Sequence, residues 1–331
     1  MREPSSLHFD SGSIRIEPLF RSEETLAEIS AGSPDKIPQK VCDVYGGLCF
    51  PPAPAKRPYT FASMVLSSDG KMAFEDDPKG PVIASANKLD SDGALADFWV
   101  LNMLRSYADA VIVGARTLQA EPEAAAYVFC GELAHDRIAV MHKKSRHPLN
   151  VVVSFDGADI PLEHTIFNRG GLAAMIATSE AGGAYLDRAL GRRRRRIFGP
   201  YRDAAAIAGL PGGEPSSDLA EIRLAVEDPE VLPILLTGSG GRPDSDILLL
   251  TLRLTGVERL CVEAPSYMWH LLNNKTMDEM FINYSMLFAG GSVSPGAAAP
   301  FTSLVHPHAE LLMMGIHRRN FIYTRQRLRY D

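Results

Sequence analysis

The sequence is poor in cysteine, positive charge and long apolar runs, and each shortage excludes a class of protein. Its 331 residues include four cysteines, and no two of them form a C-x-x-C motif. Cys261 lies in an apolar segment, so we expect reduced thiols and a cytoplasmic protein. No apolar run approaches the roughly 18 residues that a membrane-spanning helix needs. The polar N-terminus carries no secretory signal pattern.

The net charge and the positions of the histidines bear on two further classes, nucleic-acid-binding proteins and metalloproteins. The net charge is −6, whereas domains that bind nucleic acid are usually basic, so we expect no nucleic-acid partner. Cys42 and Cys49 have no histidine nearby, which predicts no metal site. Hydrophobic residues make up 46% of the chain and charged residues 22%, a balance typical of a globular protein.

Changes in composition divide the chain. Residues 1–56 read as an N-terminal arm that ends in the stiff linker Pro51–Pro54. The main domain follows over residues 57–331. Residues 180–230, rich in glycine and proline, read as an insertion within it, and they contain five consecutive arginines, Arg192–Arg196. Such a run is either a polyanion site or a solvated segment, and the second is more common in an acidic chain.

The segment from Asp97 to Pro122 has the most informative pattern. Apolar residues recur at about the helical period and predict a helix; they are Phe98, Leu101, Leu104 and Tyr107. The continuous apolar run Ala110–Val113 then predicts a strand covered on both faces. Gly114 ends that strand, and Thr117 lies where a new helix begins. A glycine followed by a helix N-terminus suits an anion such as a phosphate.

Strands and helices alternate along most of the chain. This alternation predicts an α/β fold with a mainly parallel sheet flanked by helices. The last two strands have no helix between them and predict an antiparallel C-terminal edge. The segment Val41–Phe50 predicts a further strand, Pro81–Ser85 a short extended piece, and residues 123–150 an irregular region.

The loop after the strand Tyr59–Leu66 contains Ser67-Ser68-Asp69-Gly70-Lys71. The Asp-Gly pair marks a tight turn. One interpretation is a hairpin turn with a solvated lysine. The other is a loop at a strand end that presents polar groups to a ligand.

Five ordered segments, taken together, resemble the reductase domain of bacterial riboflavin biosynthesis (the C-terminal domain of RibD), which shares the dihydrofolate reductase fold. The first runs from Arg57-Pro58-Tyr59 to Ser-Ser-Asp-Gly-Lys71, and the second from Leu104-Arg105 through Asp109-Ala110 and Gly114-x-x-Thr117 to Glu121-Pro122. The others are Pro148–Ser154, Gly256-Val257 with Val262-Glu263, and Met277-Asp278-Glu279 with Gly290-Gly291. The resemblance covers about residues 57–327, apart from 180–230.

This resemblance implies an oxidoreductase that uses NADPH to reduce 5-amino-6-(5-phosphoribosylamino)uracil, with a hydride passing to C1 of the opened sugar imine. It also implies a homodimer. The substrate-binding residues that it implies are Lys71, Arg105, Glu263 and Asp97, the last near the pterin-binding carboxylate of dihydrofolate reductase. The cofactor-binding residues are Val65, Gly114, Arg116, Thr117 and Glu121, with Arg116 placed for a 2′-phosphate. No residue is assigned a catalytic role.

One departure bears on the cofactor. Ala264-Pro265 stands where the family has two glycines, and proline has no N–H to offer a phosphate. Ser266 and Tyr267 partly replace the lost donors in this interpretation, which adds Pro265, Ser266 and Tyr267 to the cofactor site. The alternative is a non-catalytic or divergent relative with an impaired cofactor site, which binds a small ligand or a partner. The deaminase domain that often precedes the reductase is not expected, because the H-x-E of His308–Glu310 has no cysteine pair after it.

Overall fold

The computed structural model describes residues 6–90, 92–122, 125–168, 171–209, 214–228, 230–239, 241–296 and 301–330. In chain order the elements are β1 (Glu17–Arg21), α1 (Glu23–Gly32), α2 (Gln39–Tyr45), β2 (Tyr59–Ser67), α3 (Val82–Ser85), α4 (Gly93–Tyr107), β3 (Ala110–Gly114), α5 (Ala115–Ala120), α6 (Gly131–Ala139), β4 (Leu149–Val153), α7 (Thr165–Asn168), β5 (Ala174–Thr178), α8 (Glu180–Ala189), β6 (Arg195–Tyr201), α9 (Ala205–Ala208), α10 (Asp218–Glu227), β7 (Leu232–Thr237), α11 (Ser245–Leu254), β8 (Arg259–Glu263), α12 (Pro265–Asn273), β9 (Glu279–Ser285), β10 (His308–His317) and β11 (Phe321–Arg329).

Within the described residues the strands form one sheet of eleven, in the order β1-β10-β11-β9-β2-β8-β3-β4-β5-β7-β6. Every pairing from β9 through β2 to β6 is parallel. The three pairings that join β9, β11, β10 and β1 are antiparallel. The structure therefore confirms the predicted α/β class, with a mainly parallel sheet and an antiparallel C-terminal edge.

Strand β3 shows how both faces of the sheet are covered. Val111 and Val113 belong to one hydrophobic core cluster, and Ala110 and Ile112 to another. Because successive side chains of a strand point to opposite faces, the two clusters lie on the two sides of the sheet. The continuous apolar run that predicted a buried strand is confirmed.

The C-terminal end of α4 is held by a buried arginine. The Arg137 guanidinium is 1% exposed and donates to the carbonyl oxygens of Arg105, Ser106 and Ala108 at 3.0, 2.7 and 2.7 Å. These carbonyls have no partners within the helix, so the guanidinium satisfies them. Burial lowers the Arg137 pKa to about 10.

Three local predictions were wrong. Val41–Phe50 is not a strand, because α2 occupies its first half and buries Val41, Val44 and Tyr45 at helical spacing. The extended piece at Pro81–Ser85 is the short helix α3. Residues 123–150 contain α6, which buries Leu133 and Ala134.

The N-terminal arm joins the same sheet as the rest of the chain. Strand β1 pairs with β10, and Ile16 donates its N–H to the Val44 carbonyl oxygen at 2.9 Å. The predicted division of the chain at residue 57 stays a prediction. No helix in the described ranges has the length and apolar character needed to cross a membrane.

Residues 180–230 contribute α8, β6, α9 and α10, and β6 is an edge strand that pairs in parallel with β7. Their description as an insertion stays a prediction. The arginine run enters this edge strand. Ion pairs join Arg194 to Asp228, Arg195 to Asp187 and Arg196 to Glu221, so acidic neighbours offset much of its charge.

Candidate functional site

The fold brings most of the predicted site residues to one edge of the sheet. Strands β9, β2, β8 and β3 are neighbours and run parallel, so their carboxyl ends share an edge. Glu263 ends β8, Gly114 ends β3, and Lys71 lies in the loop after β2. In open α/β sheets ligands bind outside the carboxyl ends of the strands. This edge is therefore the candidate site.

Asp97 is held at this edge by an asparagine from β9. Asn283 is buried and donates from Nδ2 to Asp97 Oδ1 at 2.7 Å. Burial raises the pKa of Asp97 to about 6, and the hydrogen bond from Asn283 opposes that shift. Val65 pairs in register with Asn283, which places it beside this carboxyl group. A carboxyl group with a pKa near 6 can give or take a proton at neutral pH.

Arg105 and Glu263 bind each other. Arg105 donates from Nε and Nη2 to the two Glu263 carboxylate oxygens at 2.7 and 2.6 Å, and from Nη1 to the Tyr127 carbonyl oxygen at 3.3 Å. Their side chains are 9% and 14% exposed. These bonds use three of the five N–H donors of the guanidinium. Substrate binding by Arg105 or Glu263 stays a prediction. A bound substrate would form hydrogen bonds in addition to those that already join the two side chains.

Glu121 lies close enough to this pair to interact with it. Burial is the largest influence on the Glu121 carboxyl group and raises its pKa, and the nearby Glu263 carboxylate raises it further. A hydrogen bond from Gly80 and the positive charge of Arg105 lower the same pKa. The Gly80 N–H donates to Glu121 Oε1 at 3.3 Å. Glu121 therefore interacts electrostatically with the Arg105–Glu263 ion pair.

Gly114 lies where two helix N-termini approach each other. A Cβ atom at Gly114 would lie 3.4 Å from Ala264 Cβ and 3.6 Å from Thr117 Oγ1. Ala264 precedes α12, and Gly114 precedes α5. Arg116 is exposed and Thr117 is partly exposed, so a guanidinium and a hydroxyl in the first turn of α5 are accessible. This donor set fits a phosphate group.

Pro265, Ser266 and Tyr267, the three predicted cofactor residues after β8, form the first turn of α12. Pro265 is the first residue of α12, where its ring suits the helix but removes an N–H. Ser266 is exposed beside it. The Tyr267 ring packs with a core cluster, and burial raises the pKa of its hydroxyl, with Asp246 and Asp244 of the α11 start adding to the rise. Its side chain therefore turns toward α11, although its binding role stays a prediction.

The Ser-Ser-Asp-Gly-Lys loop makes contacts that the sequence did not reveal. Asp69 accepts from the N–H groups of Ala289 and Gly290 at 3.1 and 2.8 Å and from Ser67 Oγ at 2.6 Å. The Ser67 hydroxyl and these backbone donors lower the Asp69 pKa to about 2. Asp69 thus ties the loop after β2 to the loop after β9. Both loops contain segments that carry the resemblance described above, Asp69-Gly70 and Gly290-Gly291. That shared resemblance is the signal in the sequence from which their proximity could have been predicted.

Two solved structures share this architecture. A pyrimidine reductase-like protein from Corynebacterium diphtheriae superposes with a TM-score of 0.51 at 17% identity, over 83% of this chain and 93% of that one. RibD from Acinetobacter baumannii gives a TM-score of 0.52 at 16% identity, over 93% of this chain and 64% of that one. The chain shares the fold of these two proteins. No protein-family model and no curated protein sequence matches it.

A likeness at this identity shows the fold alone, since one fold hosts many activities. Within this fold, the candidate site combines a titratable carboxyl group, a buried ion pair and accessible groups that can donate to a phosphate. The chain spans 64% of the RibD length, so the activities of that whole protein are not carried over with the fold.

Proposed function

We propose that the chain is an NADPH-dependent reductase that acts on 5-amino-6-(5-phosphoribosylamino)uracil or a close pyrimidine relative. The observation that carries the proposal is Asp97, a carboxyl group with a pKa of about 6, fixed by Asn283 at the carboxyl edge of the sheet. Reduction of the sugar imine adds a hydride at C1 and a proton at nitrogen. Asp97 is the proton source in this scheme.

The buried ion pair positions the substrate. Arg105 fixes the Glu263 carboxylate in one plane, and each carboxylate oxygen retains capacity to accept a hydrogen bond from a pyrimidine N–H. The remaining Arg105 donors and the Lys71 ammonium group provide positive charge for the substrate phosphate. Glu121 is a second carboxyl group beside Glu263 in this site.

The residues at the ends of β3 and β8 hold the cofactor. Thr117 and the first N–H groups of α5 bind a cofactor phosphate, Arg116 binds the 2′-phosphate, and Val65 supplies apolar surface. Ser266 provides a donor beside Pro265. When bound, NADPH supplies the hydride, and the protein supplies orientation and the proton.

The test of this proposal is turnover of the uracil substrate, followed as loss of NADPH absorbance. Asp97→Asn keeps the size of the side chain and removes the acid, so we expect kcat to fall by roughly 10²–10⁴-fold. The matched control is Asp76→Asn, an exposed acid that should leave kcat unchanged. Full activity of Asp97→Asn would refute the assignment of the proton source.

A second candidate rests on Pro265. The loss of an N–H at the start of α12 weakens the phosphate site, which favours a relative that binds a pyrimidine nucleotide without a cofactor. In isothermal titration calorimetry such a protein would bind the uracil substrate. It would bind neither NADPH nor NADH. Turnover of the uracil substrate with NADPH excludes it.

The homodimer implied by the resemblance and the absence of a nucleic-acid partner stay predictions. Sedimentation equilibrium should give twice the chain mass of 36.1 kDa. A monomer at micromolar concentration would contradict the predicted homodimer. Salt-dependent retention on an RNA column would contradict the predicted lack of a nucleic-acid partner.

A further inference from the structure

A cavity of about 890 Å³ lies at the opposite edge of the sheet from the candidate site. Asp109, Leu149, Ala173 and Arg259 line it, and these residues stand at or just before the first residues of β3, β4, β5 and β8. A five-residue strand spans about 16 Å, so the sheet separates the cavity from the candidate site. Its volume is in the range of about 300–1,000 Å³ that small-molecule sites occupy.

The walls of the cavity are largely apolar. Leu172 and Met175 line it from the segment around β5, Ile222 and Val226 from α10, and Leu252 and Val257 from the end of α11 and the turn after it. Such a surface suits the hydrocarbon or aromatic body of a ligand, because contact with it removes apolar area from water.

The charged lining is positive, although the whole chain carries −6. Six cationic side chains line the cavity against four acids, a net excess of two positive charges. The cations are Lys36, Arg137, Lys143, Lys144, Arg223 and Arg259. A concave surface with an excess of one sign concentrates ligands of the other sign.

Two of the four acids, Asp109 before β3 and Asp35 between α1 and α2, are already paired with donors. Asp109 accepts from Lys143 Nζ at 2.8 Å and from the N–H groups of Glu258 and Arg259 at 2.9 and 2.8 Å. Asp35 accepts from Arg259 Nη2 at 3.2 Å. These carboxylates therefore do not repel an anion as free acids would.

Two cationic side chains are open to a ligand. The Arg259 guanidinium lines the cavity but is 1% exposed and binds Asp35, so it contributes charge to the lining and no open donor. Lys36 and Lys144 are exposed at the rim.

We propose that this cavity binds a small amphipathic organic anion, with its apolar body against the walls and its carboxylate or phosphate at the rim lysines, Lys36 and Lys144. The site is separate from the proposed reductase site and does not depend on its activity. The ligand has an apolar body and an anionic group, because the cavity combines apolar walls with a cationic lining.

The probe is 8-anilinonaphthalene-1-sulfonate, an aromatic anion that fluoresces in apolar surroundings, titrated into the full chain. We expect saturable binding that octanoate and octyl phosphate displace and that uncharged octanol displaces at least tenfold less well. The relative strength of the two anions identifies the preferred head group. NADPH should not displace the probe.

Three variants locate the site. Lys144→Glu reverses a rim charge and should weaken probe binding about fivefold to tenfold. Lys88→Glu is the matched control, an exposed lysine that does not line the cavity, and it should leave binding unchanged. Ala173→Phe fills the cavity and should abolish saturable binding, with near-UV circular dichroism showing that the variant is folded.

Several outcomes would overturn the proposal. They are no saturable binding to the native chain, equal displacement by octanol and octanoate, or equal affinity of the native chain, Lys144→Glu and a folded Ala173→Phe. Displacement of the probe by NADPH would place it in the other site and would also overturn the proposal.

Discussion

Breaking the Arg105–Glu263 pair should cost far more stability than breaking an exposed pair of similar length. The two side chains are 9% and 14% exposed, and their N–O distances are 2.7 and 2.6 Å. Two unit charges about 4 Å apart attract by about 4 kcal/mol at an effective dielectric constant of 20. Removal of one partner strands the other, so Glu263→Gln or Arg105→Met should lower the free energy of unfolding by about 3–5 kcal/mol.

Urea unfolding followed by circular dichroism measures this loss. With an unfolding entropy of about 2.1 cal/mol/K per residue, a chain of 331 residues should lose about 4–7 °C in Tm. The double variant Arg105→Met/Glu263→Gln should lose much less than the sum of the two single losses, with a coupling of about 2–3 kcal/mol. The matched control is the Arg253–Glu258 pair at 2.8 Å, which is 24% and 45% exposed. Arg253→Met should cost less than about 1 kcal/mol. Additive single losses would show that Arg105 and Glu263 do not interact and would refute the reasoning.

Further predictions concern three other side chains. The folded pKa of Asp97, about 6, lies above its ordinary value of 3.8, so the protein should lose stability as pH rises from about 4 through 6. Asp97→Asn should remove that loss and stabilise the protein at pH 7 by about 1–2 kcal/mol, a two-unit shift discounted for partial exposure; equal stability at pH 4 and 7 in both proteins would contradict it. Asp69→Asn should accelerate hydrogen exchange of the Ala289 and Gly290 amides, whereas unchanged rates would show that Asp69 does not hold that loop. Arg137→Met should cost about 3–5 kcal/mol in urea unfolding, because it leaves the α4 carbonyls without donors; a loss below 1 kcal/mol would rule out the cap.

Local patterns predicted the elements that a buried sheet requires. The unbroken apolar run Ala110–Val113 is a strand because helices cover both of its faces. The strand predicted at Val41–Phe50 was wrong, since Asp43, Gly46 and Gly47 interrupt its apolar residues and leave no clear period, and only tertiary packing decided for α2. The resemblance to the riboflavin reductase supplied the residues of the candidate site, and their neighbouring strands then brought them to one edge.

Contacts between distant residues could not be predicted from the sequence. Arg105 and Glu263 are 158 residues apart, and they meet because β3 pairs with β8. Asp69 and Gly290 meet because β2 pairs with β9. The cavity at the opposite edge likewise draws its lining from separate turns and helices. Such contacts depend on strand order, which no local pattern of propensity or periodicity encodes.

Fluorescence titration with NADPH, and separately with NADH, tests whether the carboxyl edge of the sheet is a reductase site. We expect saturable NADPH binding in the micromolar range. Arg116→Ala should weaken NADPH binding at least tenfold and leave NADH binding unchanged, because only NADPH carries the 2′-phosphate. Arg192→Ala, an exposed arginine elsewhere, is the matched control and should change neither. No binding of either cofactor at millimolar concentration would contradict the claim.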